Sequence, residues 1–216
     1  MTGIVKKGWV NIFVYYFVLK HELGLTMEAL LRAKRFFHGM YRKDGRDAFV
    51  HAYKVVQILI FYGILNDIVL AAGALHDVVE DLSEATLDIL SKVFPEEVIS
   101  LVLLLTKSEC MSLDTYFWRI SKKPLAVLIK LADRLHNLRN MIKNLGKYHW
   151  ARPEKLREQV DETKKHILLL ANQAIAHAEK YPTGCPEEYF SIMRKMTDEL
   201  RDAVHLAEAI LGGMEI

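Results

Sequence analysis

Four prolines punctuate this chain, and each precedes a stretch whose apolar residues recur with helical spacing. They are Pro95, Pro124, Pro153 and Pro186. Proline is well tolerated at the first position of a helix, because its missing N–H would be unpaired there anyway. Apart from residues 10–18, no stretch shows the alternation of apolar and polar residues that is typical of a β-strand. The sequence therefore predicts an all-α protein in which helix follows helix through short loops.

Length and charge narrow the class of protein. A chain of 216 residues with 51% hydrophobic content can bury a sizeable core as one domain. A net charge of +2 is too small to indicate a nucleic-acid polymer as partner. Cys110 and Cys185 form no CxxC pair, so neither a disulfide framework nor a thiolate metal site is indicated. This cysteine usage fits a reducing cytoplasm.

An apolar run from Trp9 to Leu19 follows two lysines, as in a signal peptide. The residues Lys20-His21-Glu22 come next, rather than a small-residue cleavage site. The run is also only about half of the ~20 apolar residues that cross a bilayer. We interpret it as a buried helix or strand added to the core. Its aromatic density also permits a homodimer interface, and membrane association is the least favoured alternative.

Ionisable residues concentrate in the segment ALHDVVED at 74–81. On a continuous α-helix, residues four apart share a face, so His76 is expected above Glu80 and Asp77 above Asp81. Burying such neighbouring carboxylates would cost several kcal/mol without a cation or hydrogen bonds, and a metal ion is the simplest compensation. The alternative is a solvated helix end, since charge clusters on helices usually face water.

Two further segments supply residues of the same kind. His51 lies on an apolar helical face and is expected to point inward, although a lone histidine there is more often a core residue than a ligand. Asp133 lies among apolar positions of the 128–139 segment, with Asn137 one turn beyond it on the same face. Two imidazoles and two carboxylates suit Mn²⁺, Fe²⁺ or Zn²⁺ better than Ca²⁺. The candidate ligands are His51, His76, Asp77 and Asp133.

The order of these motifs resembles that of the HD-domain phosphohydrolases. The segments that carry the resemblance are YRKDG at 41–45, the His51 segment, LHDVVED at 75–81 and KLADRLHNLR at 130–139. Within that group, the chain from about Leu25 to about Ala174 resembles the hydrolase domain of the RelA/SpoT homologues, which remove the 3′-pyrophosphate of the alarmone (p)ppGpp. No counterpart of their synthetase domain is recognised, so the expected match is to the small, hydrolase-only members.

This resemblance implies a single HD-domain helical bundle with extra C-terminal helices. Residues 1–24 would be an N-terminal extension packed on the core, residues 25–178 the metal-dependent phosphohydrolase core, and residues 179–216 a C-terminal helical segment of the same domain. It implies a cytoplasmic enzyme of the stringent response that holds one divalent ion, with Mn²⁺ favoured over Fe²⁺ or Zn²⁺. Its partners would be a small nucleotide and, in a homodimer, a second copy of the chain, with no nucleic-acid polymer and no membrane.

The resemblance also implies roles for individual residues. Glu80 and Asp81 would orient or deprotonate the attacking water and return a proton to the leaving 3′-oxygen, giving GDP or GTP and pyrophosphate. Arg42 would stack on the guanine, Lys43 would pair with phosphate, and Asn137 would hydrogen-bond the nucleoside. The plainer alternatives are solvated turn residues for Arg42 and Lys43, and a helix cap or a bridge between helices for Asn137.

Three positions depart from the family pattern. The family usually has a small residue where this chain has Asp44, proline where it has Ala52, and threonine where it has Asn140. Asp44 and Asn140 bear on recognition of the base and keep open a second hypothesis, in which the substrate is an adenine alarmone, NADPH or another nucleotide. A third hypothesis is a non-catalytic nucleotide-binding protein on an HD scaffold. The retained ligands and the acidic pair at 80–81 argue against it, because a binding module needs no residues that activate water.

Overall fold

A computed structural model describes residues 4–42, 45–82, 84–108, 110–180 and 185–214, with side chains for 12–42, 45–82, 86–108, 110–177 and 185–214. Within these residues the regular elements are all helical, and an isolated bridge joins Tyr41 and Asp47. The predicted all-α class is confirmed. The helices are α1 (Ile4–Lys20), α2 (Gly24–Phe36), α3 (Phe49–Phe61), α4 (Asp67–Leu75), α5 (Val78–Asp81), α6 (Glu84–Ser91), α7 (Glu96–Leu105), α8 (Leu113–Ser121), α9 (Pro124–Asn144), α10 (Pro153–Glu162), α11 (Leu168–Lys180) and α12 (Glu187–Gly212).

The chain divides into two compact units. The first comprises residues 1–41 and 46–106, and the second comprises residues 42–45 and 107–216. In the first unit α4 packs against α2, α3 and α7, whereas in the second the long α9 packs against α8, α10, α11 and α12. The boundaries expected after residues 24 and 178 stay a prediction.

The apolar run at 9–19 is helical and lies in α1, which packs against α2 and α3. Val14 and Val18 are at most 1% exposed, so one face of the helix is buried. The opposite face carries four large apolar side chains, each at least 49% exposed: Ile12, Phe13, Tyr16 and Leu19. Among the described helices, none combines the length and the apolar character needed to cross a membrane.

Side-chain caps tie the start of α4 to the start of α2. The Asp67 carboxylate accepts hydrogen bonds from the backbone N–H of Leu25 at 2.9 Å and from that of Thr26 at 2.7 Å. The Thr26 hydroxyl donates to the same carboxylate at 2.6 Å, and Asn66 caps α4 by accepting from the Val69 N–H at 3.1 Å. These bonds satisfy N–H groups that helix ends otherwise leave unpaired, and they fix where α4 begins.

The proline signals correspond to real helix starts. Pro124 and Pro153 are the first residues of α9 and α10, and Pro95 and Pro186 stand immediately before α7 and α12. A π-helical turn at Thr163–Ile167 joins α10 to α11. The apolar stripe that runs through it is at most 3% exposed, as predicted for Leu156, Val160, Ile167 and Leu170.

Candidate active site

Two buried histidines meet in the first unit. His51 lies in the first turn of α3 and His76 directly follows α4, and each is only 3% exposed. Their Nε2 atoms are 3.2 Å apart. The Nδ1 atom of His76 lies 2.9 Å from the Gly73 carbonyl oxygen, so this nitrogen is the donor, because a carbonyl oxygen only accepts. This leaves Nε2 as the nitrogen that can bind a metal ion.

Asp77 joins this pair. Its Oδ1 lies 3.0 Å from His76 Nε2 and its Oδ2 lies 3.3 Å from His51 Nε2, with about a third of the side chain (34%) exposed. We refer to His51, His76 and Asp77 as the His/Asp cluster. Two imidazole nitrogens that face each other beside a carboxylate form a donor set of the kind that holds a divalent cation. The residues present therefore fit the metal ion that the sequence predicts.

Close packing of α3 and α4 brings the two histidines together. A Cβ atom added at Gly73 would lie 2.9 Å from Leu59 Cδ1, which is closer than real Cβ contacts come. The absence of a side chain at Gly73 thus allows α4 to approach α3. The sequence signal for this contact is a glycine inside an otherwise apolar helical run.

The helix does not continue through the His-Asp dipeptide. α4 ends at Leu75 and α5 begins at Val78, so His76 and Asp77 form a turn between the two helices. The prediction of one continuous helix across 74–81 is therefore wrong, although the Asp81 N–H still donates to the Asp77 carbonyl at 2.9 Å. A local hydrogen bond accounts for the break. His76 Nδ1 donates to the Gly73 carbonyl at 2.9 Å, and this side-chain bond competes with the one that the Asp77 N–H would make to the same carbonyl in a continuous helix.

The acidic residues of α5 lie on the surface. Glu80 and Asp81 are both exposed, whereas His76, one turn earlier, is buried. The cost of burying neighbouring carboxylates therefore does not apply to this pair, and within the cluster it applies only in part to Asp77. Exposed carboxylates next to a buried cluster of metal-binding type are accessible to water and to a ligand arriving from solvent.

In the second unit, α9 holds Asp133 in a fixed orientation. Asp133 is 5% exposed. The Asn137 amide donates to Asp133 Oδ1 at 2.6 Å, and the Lys130 ammonium donates to Oδ2 at 3.0 Å. Arg42 in turn donates from Nη2 to Asn137 Oδ1 at 3.1 Å. Three sequence-predicted residues, Arg42, Asn137 and Asp133, therefore form one hydrogen-bonded chain.

Lys130 also belongs to this hydrogen-bonded series, although it is not among the site residues predicted from the sequence. Its side chain is 16% exposed, and its Nζ lies 5.6 Å from the centre of the Tyr116 ring. Burial lowers the pKa of Lys130, but the Asp133 carboxylate and Tyr116 raise it, and the net shift is upward. The ammonium therefore stays charged beside Asp133. The sequence signal was a lysine three residues before an aspartate, a spacing that places both on one helix face.

Most of the predicted site residues thus form two groups, one in each compact unit. His51, His76 and Asp77 meet in the first unit, followed by Glu80 and Asp81 in α5. Arg42, Asn137 and Asp133 are linked in the second unit. Lys43, the predicted phosphate contact, lies outside the described residues, as does Asp44. The roles assigned to all of these residues stay predictions.

Comparison with known proteins finds similarity to one domain family and to several curated enzymes. Residues 29–114 match the HD domain family. A probable guanosine-3′,5′-bis(diphosphate) 3′-pyrophosphohydrolase of Synechocystis sp. is 32% identical over 143 residues, which are 61% of this chain and 18% of that protein. A guanosine-3′,5′-bis(diphosphate) 3′-pyrophosphohydrolase of Borreliella burgdorferi is 30% identical over 128 residues, or 54% of this chain and 19% of that protein.

Two further similarities differ in coverage. A probable GTP pyrophosphokinase of Mycobacterium leprae is 30% identical over 189 residues, which are 76% of this chain and 23% of that protein. The chain thus spans less than a quarter of the length of these curated relatives. A solved structure, described as a metazoan ortholog of SpoT that hydrolyzes ppGpp, matches with a TM-score of 0.57 and 23% identity over 82% of this chain and 95% of the other. That likeness shows a shared fold.

Proposed function

We propose that this chain, as an HD-domain homologue of the RelA/SpoT proteins, is a metal-dependent enzyme. Its activity would be that of a guanosine-3′,5′-bis(diphosphate) 3′-pyrophosphohydrolase. The observation that carries the proposal is the His/Asp cluster, in which the Nε2 atoms of His51 and His76 lie 3.2 Å apart beside Asp77. The names of the Synechocystis and Borreliella relatives supply the substrate. The reaction would convert ppGpp to GDP, or pppGpp to GTP, with release of pyrophosphate.

The proposed ligand set is the His/Asp cluster with Asp133 as a fourth ligand. Mn²⁺ is the favoured ion, with Fe²⁺ and Zn²⁺ as alternatives, because nitrogen and carboxylate donors suit all three. When bound, the ion supplies a Lewis acid for a phosphoryl oxygen and acidifies water. The tautomer of His76, fixed by the Gly73 carbonyl, supports a ligand role for its Nε2.

Glu80 and Asp81 are proposed to carry out the proton transfers. One carboxylate would accept a proton from water as the water oxygen attacks the phosphorus bonded to the 3′-oxygen. The bond between that phosphorus and the 3′-oxygen breaks, and the proton is returned to the 3′-oxygen of the nucleotide. The exposure of both carboxylates supports this role, because a nucleotide from solvent has to reach them.

Arg42, Lys43 and Asn137 are proposed to bind the substrate. Arg42 would stack on the guanine, Lys43 would pair with phosphate, and Asn137 would hydrogen-bond the nucleoside. The 3.1 Å hydrogen bond between Arg42 and Asn137 supports a common ligand for the two side chains. Asn137 uses one amide N–H for Asp133, and a primary amide has a second N–H to offer a substrate.

A substrate panel tests the proposal. The full chain would be freed of metal with EDTA, reloaded separately with Mn²⁺, Fe²⁺ or Zn²⁺, and incubated with ppGpp, pppGpp, an adenine alarmone and NADPH. We expect metal-dependent release of pyrophosphate and GDP from ppGpp, resolved by anion-exchange chromatography. Turnover only of the adenine alarmone or of NADPH would favour the alternative substrate. Tight nucleotide binding without turnover under every metal would favour the non-catalytic alternative.

Partners and location complete the proposal. The substrate is a small nucleotide, no nucleic-acid polymer or membrane is involved, and the compartment is the cytoplasm. The exposed apolar face of α1 supports a homodimer, since large exposed apolar patches are typical of interaction surfaces. Residues 1–24 would be an extension, residues 25–178 the HD core and residues 179–216 a C-terminal helical segment. Light scattering on the purified protein measures the oligomeric state directly.

A further inference from the structure

We propose that Lys130 is a positioning residue that orients the Asp133 carboxylate toward the divalent ion. The inference rests on the proposed function, because it takes Asp133 as a metal ligand. It goes further by assigning a role to a residue that lies outside the predicted ligand, catalytic and substrate-binding sets.

The first argument is that both oxygens of Asp133 are held by donors. Asn137 Nδ2 lies 2.6 Å from Oδ1 and Lys130 Nζ lies 3.0 Å from Oδ2. The terminal torsion of an aspartate has a broad, roughly two-fold profile, so the carboxylate plane is poorly fixed unless donors hold it. A carboxylate offers about four lone-pair positions, so two donors leave capacity for an ion. Lys130 and Asn137 can therefore fix the plane of the carboxylate without displacing a metal ion.

The second argument is that Lys130 is itself held in place. A lysine side chain on the surface would be a poor positioning group, because its four-carbon stem is flexible. Lys130 is only 16% exposed, and its ammonium lies 5.6 Å from the ring centre of Tyr116, which is 3% exposed in α8. A buried aromatic face attracts a cation and limits its movement. The packing of α8 against α9 thus holds the Lys130 ammonium in place, and the ammonium in turn holds the Asp133 carboxylate.

A simple counter-charge role predicts the opposite effect on metal binding. If Lys130 only neutralised Asp133, its positive charge would oppose a divalent cation, and removal of the charge would strengthen binding. If Lys130 orients the carboxylate, its removal weakens binding, as it does for partners that orient metal ligands in other proteins. The sign of the change in metal affinity therefore separates the two roles.

The test is Mn²⁺ affinity measured on the full chain without substrate. Free Mn²⁺ would be followed by electron paramagnetic resonance during titration of the EDTA-treated protein with MnCl₂. Lys130→Met keeps the length of the side chain and removes its N–H donors, and we expect a loss of affinity of about 10- to 100-fold. Lys130→Arg restores donors and charge and should retain most of the affinity. Lys143→Met, at an exposed lysine of the same helix, is the matched control and should bind as the wild type does.

An unchanged or higher affinity in Lys130→Met would overturn the positioning role. If circular dichroism shows that this variant is unfolded, Lys130→Leu, which also lacks N–H donors, takes its place, and wild-type affinity in the leucine variant would also overturn the role. Wild-type protein that binds none of Mn²⁺, Fe²⁺ and Zn²⁺ would refute the metal centre of the proposed function itself, and the positioning role with it. Metal binding that follows the expected order while ppGpp is not hydrolysed would refute only the proposed substrate.

Discussion

Replacement of Asp133 by alanine should destabilise the protein even when no metal is present. The substitution leaves the Lys130 ammonium, which is 16% exposed, without the carboxylate that lies 3.0 Å away. Removing one partner of a buried ion pair costs about 3–5 kcal/mol, because the other charge remains buried and uncompensated. The Asn137 amide also loses its acceptor, but it is only half-buried and keeps its bond to Arg42, so water can compensate most of that loss. We therefore expect a total of about 3–5 kcal/mol.

For a chain of this size, each kcal/mol lowers the melting temperature by about 2–4 °C, so the expected decrease is about 6–20 °C. The assay is urea unfolding in EDTA, followed by circular dichroism. The double variant Lys130→Met/Asp133→Ala also removes the uncompensated ammonium. It should recover at least half of the unfolding free energy that Asp133→Ala loses. A single variant within about 1 kcal/mol of the wild type, or a double variant whose loss equals the sum of the two singles, would refute the reasoning. In both variants Mn²⁺ binding should be abolished if Asp133 is a ligand.

Three further substitutions test separate parts of the protein. Glu80→Gln should keep its affinity for Mn²⁺, but its kcat for ppGpp should fall by about 10²- to 10⁴-fold, because an amide cannot accept and return the proton. Full activity in this variant would show that Glu80 takes no part in proton transfer. Arg42→Ala should raise KM for ppGpp by about tenfold, equivalent to about 1.4 kcal/mol of lost stacking and hydrogen bonding, while Mn²⁺ affinity stays constant; an unchanged KM would argue against base recognition by Arg42. Asp67→Ala removes the acceptor of three hydrogen bonds at the start of α2, and urea unfolding should show a loss of about 2–4 kcal/mol; a loss below about 1 kcal/mol would mean that this cap does not fix α2 to α4.

Local sequence signals predicted the helices and the chemical type of the site. Pro124 and Pro153 are the first residues of α9 and α10 because proline is compatible with a first helical turn and with little else in a helix. His51 was expected inside from the apolar residues around it, and it is 3% exposed. These features depend on one helix at a time, so the spacing of residues along the chain is enough to find them.

Residue spacing did not predict features that depend on contacts outside one regular helix. The pattern at 74–81 predicts an unbroken helix, but α4 ends at Leu75 and α5 starts at Val78, and the His76 side chain bonds to the Gly73 carbonyl between them. Spacing could not choose the partner of Asp133 either, because Lys130 lies three residues before it and His136 three residues after it on the same helix face. The aromatic ring of Tyr116, contributed by a different helix, is part of what holds Lys130 in place.

The sequence by itself determined that this protein is all-α and that it carries imidazoles and carboxylates suited to a divalent ion. Only the tertiary structure decided that His51 and His76 face each other, that Glu80 and Asp81 stay at the surface, and that Lys130 is the cation beside Asp133. The physical reason is that helix formation follows from neighbours within a few positions. The distance between side chains on different helices depends on how closely those helices pack, as Gly73 allows for α3 and α4.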